Sequence, residues 1–274
     1  NSHSCNSHSC NSHLVTANER QTLLRSLSLF LIGVLIASIL TGCAGAAPTE
    51  TPPDPLALIT TAADKLRAVR TFRISVDQTG PDYYLYTDYA AVFFRAATAQ
   101  YVAPSVMQAT VRVIAAGLPI TVDVYSQGDD QWYRALWTGN NWLNESFQPG
   151  FNPETLIAEE TGFQSALDAL VALTYVGATE LESGAAVYQL NATANGPDVT
   201  ALLGGLIAPV GTVEVEVYVA RADGFPVRFV VREFDSPYTV TPAPGATPDP
   251  VTWTIDLFDI DAEPQLDPPE GTGT

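Results

Sequence analysis

The sequence predicts an α+β domain, a meander of antiparallel strands with helices laid on one face. Apolar and polar residues alternate with a period of two over several stretches between residues 71 and 260, which is the pattern of half-buried strands. The breaks between these stretches are short and rich in Gly, Pro and Asp, which favours antiparallel hairpins over parallel crossovers. Helical periodicity interrupts the alternation in a few places, and helices there would cover the apolar face of the sheet.

The first element is a helix that leads directly into a strand. Over residues 56–70 apolar residues recur at spacings of three and four, which predicts an amphipathic helix with Asp54 as its N-cap and Pro55 at its first position. At Thr71 the period changes to two, and a strand runs from there to a break at Gly80. Further strands are predicted at residues 83–89, 92–101, 106–114, 120–126 and 131–137.

The second half of the domain alternates helices with hairpins. Helical spacing and leucine content predict helices, and alternation on either side of Gly-containing turns predicts strands. After a loop at 139–149, the predicted helices are 153–159, 162–173 and 198–207, and the predicted strands are 174–182, 185–194, 213–221, 226–235 and 251–260.

Two segments are too rich in proline to pack as regular elements. Residues 236–250 read as a long mobile loop between the last two strands. Residues 262–274 are acidic and rich in Pro and Gly, so a disordered tail is predicted there.

The stretch from Ser26 to Cys43 has the layout of a secretory signal peptide. Arg20 and Arg25 form a basic flank, an apolar run follows, and small residues surround the cysteine. The ending Leu-Thr-Gly-Cys resembles the lipobox of bacterial lipoproteins, in which the cysteine is acylated and becomes the first mature residue. The alternative is an uncleaved transmembrane helix, but the apolar run is shorter than the roughly 18 to 20 residues needed to cross a bilayer.

This signal sets the predicted organisation of the chain. Residues 1–42 would be an upstream extension plus signal peptide, 43–55 a proline-rich tether, 56–261 the folded domain and 262–274 the tail. Acylation of Cys43, with palmitate or a similar fatty acid, would hold the domain at the outer side of the bacterial cell membrane, because two or more acyl chains anchor a protein stably.

The first 13 residues repeat the unit Asn-Ser-His-Ser-Cys and contain all three histidines. Cys and His are good ligands for zinc or copper, so a metal-binding tract is one interpretation. The other is an upstream repeat, translated from a misplaced start and removed with the signal. We favour the second and expect no metal site there.

Composition excludes several classes of function. The net charge is −18, and an acidic surface of that size repels nucleic acid, so no nucleic-acid partner is expected. The predicted mature chain has no histidine, and its single cysteine is acylated, which removes imidazole bases and thiol nucleophiles.

Carboxylates are the remaining candidates for catalysis or metal binding. The pairs Asp129–Asp130 and Glu159–Glu160 are adjacent in sequence and read as a turn and a helix end rather than as a glycosidase pair. Asp256, Asp259 and Asp261 lack the glycine and distal glutamate of a calcium loop. We therefore predict a protein that is not an enzyme, with no cofactor and no metal.

Four segments resemble the LppX/LprAFG lipoprotein family, which is related in architecture to the LolA-type lipid carriers. The sequence LITTAADKLRAVRTFRISVDQTG at 58–80 is similar to the family's first helix and strand, and DDQWYRALWTGNNW at 129–142 to its strand and turn with paired aromatics. Residues 152–190 resemble its central helices and hairpin, and RADGFPVRFVV at 221–231 its late hairpin. The proline-rich stretch 236–250 has no counterpart in that pattern.

The resemblance implies a strongly curved antiparallel half-barrel, with helices across its concave face and an apolar cavity between them. It also implies that a lipid or glycolipid is bound there and carried within the cell envelope. An envelope transport protein is a candidate partner. No catalytic residue is carried over, and Cys43 is the one residue that matches a motif. Candidate cavity residues are apolar positions on the predicted helix faces, each of which could equally be core: Leu167, Leu170, Val171, Leu202, Leu203, Leu206 and Ile207.

Two hypotheses remain open at this point. A lipid carrier requires an unfilled apolar cavity. A sensor or protein-interaction module of the same fold would have a filled core and an exposed partner patch, for which the tyrosines at positions 83, 84, 86 and 89 are candidates.

Overall fold

The computed structural model describes residues 52–85, 92–239 and 249–272. The predicted signal with Cys43, most of the tether, Tyr86, Tyr89 and the centre of the proline-rich loop lie outside these ranges. Among the helices of the described ranges, none is long and apolar enough to cross a membrane.

The first helix, α1, spans Pro55–Ala68, close to the predicted bounds. The backbone N–H of Leu56 donates to the Asp54 carboxylate at 3.1 Å, and Pro55 occupies the first turn, as expected for this cap. The face that packs on the sheet is formed by Ile59, Ala62, Ala63 and Leu66. The other helices in the part of the chain that the structure describes are α2 (Phe163–Asp168) and three 3₁₀ helices, η1 (Leu136–Thr138), η2 (Pro153–Leu156) and η3 (Gly196–Leu203).

The strands within the described ranges form one antiparallel sheet. The spatial order is β7-β6-β5-β4-β3-β1-β12-β11-β10-β9-β8, with β2 paired to β3 beside this path. β7 and β8 are the edges, so the sheet is not closed, and the predicted α+β half-barrel is confirmed. The strands are β1 (Thr71–Thr79), β2 (Tyr83–Leu85), β3 (Val92–Val102), β4 (Val106–Ala115), β5 (Leu118–Gln127), β6 (Asp130–Ala135), β7 (Leu143–Asn144), β8 (Val171–Glu180), β9 (Ala186–Asn195), β10 (Thr212–Ala220), β11 (Pro226–Glu233) and β12 (Val251–Phe258).

The half of the sheet from β9 to β12 is fully packed. Its inner face carries large side chains that belong to one core cluster with those of α1, α2 and η3, and burial of that apolar area is the main stabilising term. Several of these side chains are 0% exposed: Leu190, Val217, Phe229, Trp253 and Ile255.

The central helices are shorter than predicted. The helix expected at 162–173 ends at Asp168, and the chain enters β8 at Val171. Both helix and strand are compatible with the apolar run around Leu170, and pairing with β9 decides in favour of the strand. The stretch expected at 198–207 is a 3₁₀ helix whose end is set by Gly204, which adopts φ = 71°.

Residues 262–272 are not the disordered tail that composition predicts. They lie against the outer face of the sheet, where the backbone N–H groups of Gln265 and Asp267 donate to the side chains of Gln100 on β3 and Gln108 on β4. Asp267 also pairs with Arg134 at 2.7 Å. Composition missed this because the partners of the tail lie more than a hundred residues away in sequence.

Candidate functional site

The other half of the sheet encloses a cavity of about 570 Å³. Its floor is the inner face of β1, β3, β4 and β5, and its walls come from β2, residues 203–208, Phe147 and Tyr238. This volume lies within the range of about 300 to 1,000 Å³ that is usual for small-molecule sites. The cavity, not the filled half, is therefore the candidate site.

Small side chains on the floor create this space. Ala97 and Ala99 on β3 and Ala109 and Ala115 on β4 line the cavity, whereas the matching layer of β11 and β12 carries aromatic and branched residues. An alanine ends at Cβ, so it cannot reach the cover that larger side chains touch elsewhere in the core. An irregularity in the β3–β4 pairing after Phe94 shifts the register so that Ala97 and Ala99 face inward.

The lining is almost wholly apolar. Among the lining residues that the structure describes, no side chain is charged, and the polar groups are Gln148, the indole of Trp137 and the tyrosines at positions 83, 84 and 238. Such a surface can hold hydrocarbon, because each methylene removed from water contributes about 0.8 kcal/mol.

One end of the cavity has an exposed apolar rim, formed by Leu118, Leu136 and Trp137. These residues are 65%, 84% and 61% exposed, and Trp137 also lines the cavity. They stand at the end of the sheet where β5 begins and β6 ends. The chain carries no charged residue at 113–122 or 135–144, although the whole protein has a net charge of −18.

The candidate residues chosen from the sequence divide into three groups. Leu203, Leu206 and Ile207 line the cavity. Val171 was wrongly placed, because it starts the edge strand β8 and is 59% exposed. The remaining candidates are buried in the core away from the lining: Leu167, Leu170 and Leu202.

Sequence reasoning missed the floor. Met107, Ala109, Val111 and Val113 alternate along β4 and all line the cavity. The signal that could have found them is the share of alanine at inward positions of β3 and β4, since strands of a filled core carry larger residues there.

The two tyrosines of the candidate patch that the structure describes do not form the exposed surface that a protein-interaction module requires. Tyr83 is 4% exposed and packs on Trp253 at 4.8 Å between ring centroids. Tyr84 packs on Phe93 with tilted rings, whose centroids are 4.4 Å apart.

The three aspartates considered for calcium binding have structural partners. Asp256 forms a two-pronged ion pair with Arg228 at 2.6 and 3.1 Å, Asp259 pairs with Arg73, and Asp261 accepts from the N–H of Arg70. Within the described ranges, no cluster of three or more His, Cys, Asp or Glu could hold a metal ion.

Two solved structures of mycobacterial lipoproteins have a similar fold. LprF from Mycobacterium bovis superposes with a TM-score of 0.57 at 12% identity, covering 81% of this chain and 100% of that one. The Mycobacterium tuberculosis lipoprotein LppX gives 0.50 at 15% identity, covering 78% and 98%. The chain has the LppX-type fold.

At these identities the similarity shows the fold alone. No protein-family model matches the sequence, and no curated protein matches it. The LppX-type fold was expected from the four sequence segments, and this expectation is confirmed.

Proposed function

We propose that this protein is a lipid-anchored carrier, which binds the acyl chain of a lipid or glycolipid in the cavity and moves it within the cell envelope. The observation that carries this proposal is an uncharged apolar cavity of about 570 Å³ whose wall continues into the exposed side chain of Trp137. A filled core, which the interaction module requires, does not fit that half of the sheet. The chemistry of the lining likewise supports binding rather than catalysis.

Energetics favour exchange with a membrane over capture from water. An acyl chain of about 16 carbons needs roughly 13 kcal/mol of shelter from water. A bilayer provides the same shelter, so transfer between bilayer and cavity is nearly balanced in free energy. A carrier needs that balance, because cargo held much more tightly than in the bilayer would not be delivered.

The rim gives the proposed route for the cargo. Leu118, Leu136 and Trp137 are exposed and uncharged, and Trp is a side chain that favours the interface between lipid and water. Contact of this rim with the bilayer lets a chain slide into the cavity without crossing water. Acylation of Cys43 and a tether at 43–55, which spans at most about 47 Å, keep the domain within reach of the membrane.

The test is mass spectrometry of the protein purified from its native membrane. We expect stoichiometric lipid that dissociates on denaturation, together with acylation at Cys43. Protein without lipid, recovered instead with one stoichiometric protein partner, would contradict the carrier and support the interaction module. A transport protein found alongside bound lipid would be the partner that loads or unloads cargo.

A further inference from the structure

Two buried polar atoms beside the cavity have no hydrogen-bond partner. They are Oε2 of Glu233 and Nε1 of Trp253, one an acceptor and the other a donor. The hydroxyl of Ser236 lies near the same carboxylate and lowers its pKa, but it makes no hydrogen bond of normal geometry to Oε2. Both residues are 0% exposed. Buried polar groups nearly always find a partner, and one left unpaired destabilises the fold. Two complementary unpaired atoms therefore point to a group that joins them when it is present.

The two side chains are neighbours on the inner face of the sheet. Trp253 on β12 pairs with Val231 on β11, and Glu233 lies two residues further along β11, opposite Val251. They are thus diagonal partners on adjacent strands, with Cα atoms about 7 to 8 Å apart. Side chains of this length can approach one small group from two sides.

The pair stands directly behind the cavity wall. Tyr83 and Phe94 line the cavity, and their rings lie 4.8 and 5.5 Å from the ring of Trp253. Tyr238, also in the lining, packs on Tyr83 at 5.6 Å. Burial, with the charge of Glu233 as a second cause, raises the pKa of Tyr83, so this phenol lies within the field of the carboxylate.

The wall at this point is formed by a short strand and the chain after β11. Tyr83 belongs to the three-residue strand β2, which joins the sheet through β3 and touches the chain after β11 through a bridge to Thr239. The backbone N–H of Tyr84 donates to the carbonyl of Tyr238 at 2.7 Å. A turn of the Tyr83 and Tyr238 side chains would open the polar pair to the cavity without breaking the main ladder.

The chemistry of the two atoms selects the ligand group. A hydroxyl can donate to the carboxylate oxygen and accept from the indole N–H at once. An ester oxygen can only accept, and a phosphate would meet the acidic side chain of Glu233, whose other oxygen already accepts from the N–H of Val210 at 3.1 Å. An ammonium group would have to lose its water to enter a fully buried site, which costs far more than burying a hydroxyl.

We propose that Glu233 and Trp253 bind a free hydroxyl group of an uncharged lipid whose acyl chain occupies the cavity. This inference rests on the proposed function and adds the chemical class of the cargo, a neutral hydroxylated lipid such as a diacylglycerol or an uncharged glycolipid.

The test is a competition between two lipids that differ at one group. The full-length protein in detergent micelles is offered equal amounts of dioleoylglycerol and its 3-O-acetyl ester, and mass spectrometry gives the ratio retained. Wild type is expected to favour the free hydroxyl by about tenfold, the effect of one hydrogen bond to a charged group. Glu233→Gln and Trp253→Phe are each expected to bring the ratio below about twofold, because each lowers retention of dioleoylglycerol and leaves retention of the acetyl ester unchanged.

Glu214→Gln is the matched control, since Glu214 is exposed on the outer face of β10, and it should keep the preference of wild type. If Glu233→Gln does not fold, as judged by circular dichroism, Trp253→Phe decides. A wild-type ratio near one, or a preference that survives in the folded variants, overturns the inference while leaving the carrier intact. A wild type that retains neither lipid overturns the carrier proposal itself.

Discussion

Alanine at a few positions decides where this core is hollow. Ala109 on β4 lies on the cavity floor, and Ala192 on β9 has the same size and a similar burial but sits in the packed half. The surroundings differ, because only the first has empty space above its methyl group. The same substitution at the two sites therefore separates filling a binding site from overpacking a core.

Ala109→Phe is expected to remove most of the bound lipid and to leave the melting temperature unchanged or raised, because the ring occupies space meant for cargo. Lipid per protein, measured by mass spectrometry after extraction, checks this. Ala192→Phe is the control and should destabilise the fold by about 1 to 3 kcal/mol through overpacking. Full lipid loading in folded Ala109→Phe would show that the cavity is not the binding site.

Glu233 gives a prediction on stability against pH. Burial raises the pKa of its carboxyl above the ordinary value, with the N–H of Val210 and the hydroxyl of Ser236 opposing. Because the folded pKa is the higher one, ionisation of Glu233 destabilises the fold above that pKa, and the penalty disappears as the pH falls below the unfolded value, about 4.3.

Glu233→Gln should therefore raise the melting temperature of the lipid-free protein near neutral pH and lose this advantage toward acid, as measured by thermal scans across pH. The exposed Glu214→Gln should show no such pattern. A Glu233→Gln variant less stable than wild type at neutral pH would mean that the carboxylate serves the fold rather than the cargo.

At the scale of elements, the outer strap formed by residues 262–272 is a structural part of the domain. It crosses a row of paired residues on the outer face, Gln100, Gln108 and Tyr125, and Pro269 within it is buried. Truncation after Ala262 is expected to cost about 2 kcal/mol of unfolding free energy, from two lost hydrogen bonds and exposed apolar area. Denaturant titration measures this change.

Truncation after Glu270 is the matched control, because it spares every contact of the strap with Gln100, Gln108 and Arg134. This truncation should leave the denaturant midpoint of unfolding unchanged. Asp267→Asn should cost less than about 1 kcal/mol, since the Asp267 side chain is 69% exposed and surface ion pairs contribute little. If truncation after Ala262 leaves the protein as stable as wild type, the strap contributes nothing to the stability of the fold.

The short helix η1 contributes Trp137 to the apolar rim of the cavity. Trp137→Ser is expected to slow lipid uptake from neutral vesicles about tenfold, because burial of an apolar side chain of this kind contributes about 1.5 to 3 kcal/mol. Val176→Ser is the control, since Val176 is 52% exposed on the far edge strand β8. Fluorescence transfer of a labelled lipid gives both rates. Equal slowing by the two variants would point to a general loss of surface apolarity.

At the scale of the whole molecule, the sequence was informative wherever a local period decided the structure. The alternation after Thr71, the Asp54 cap and the late hairpins hold within a residue or two. It failed where distant contacts decide: at Val171, which pairing draws into a strand, and in the strap, whose partners lie on β3 and β4. The cavity also depends on distant contacts, because it lies between the sheet and segments that are far from these strands in sequence.

Localisation is tested by acylation. Cys43→Ser in the full chain is expected to abolish incorporation of an alkyne-labelled palmitate during growth, because the lipobox cysteine is the predicted acceptor. Cys10→Ser, in the upstream repeat, should leave labelling intact. Labelling that persists in Cys43→Ser would place the lipid elsewhere, and labelling absent from wild type would remove the anchor from the proposed mechanism.

The pairing of β1 with β12 sets the order in which this protein can be completed. These strands are the first and last of the sheet in sequence, yet they lie side by side in the middle of the sheet, where Arg73 pairs with Phe258. A ribosome adds residues from the N-terminus, so the two halves can form hairpins early, but they cannot be joined until β12 has been made. The domain therefore stays open along its middle until synthesis is nearly finished, which would suit the export that the predicted signal at 26–43 implies.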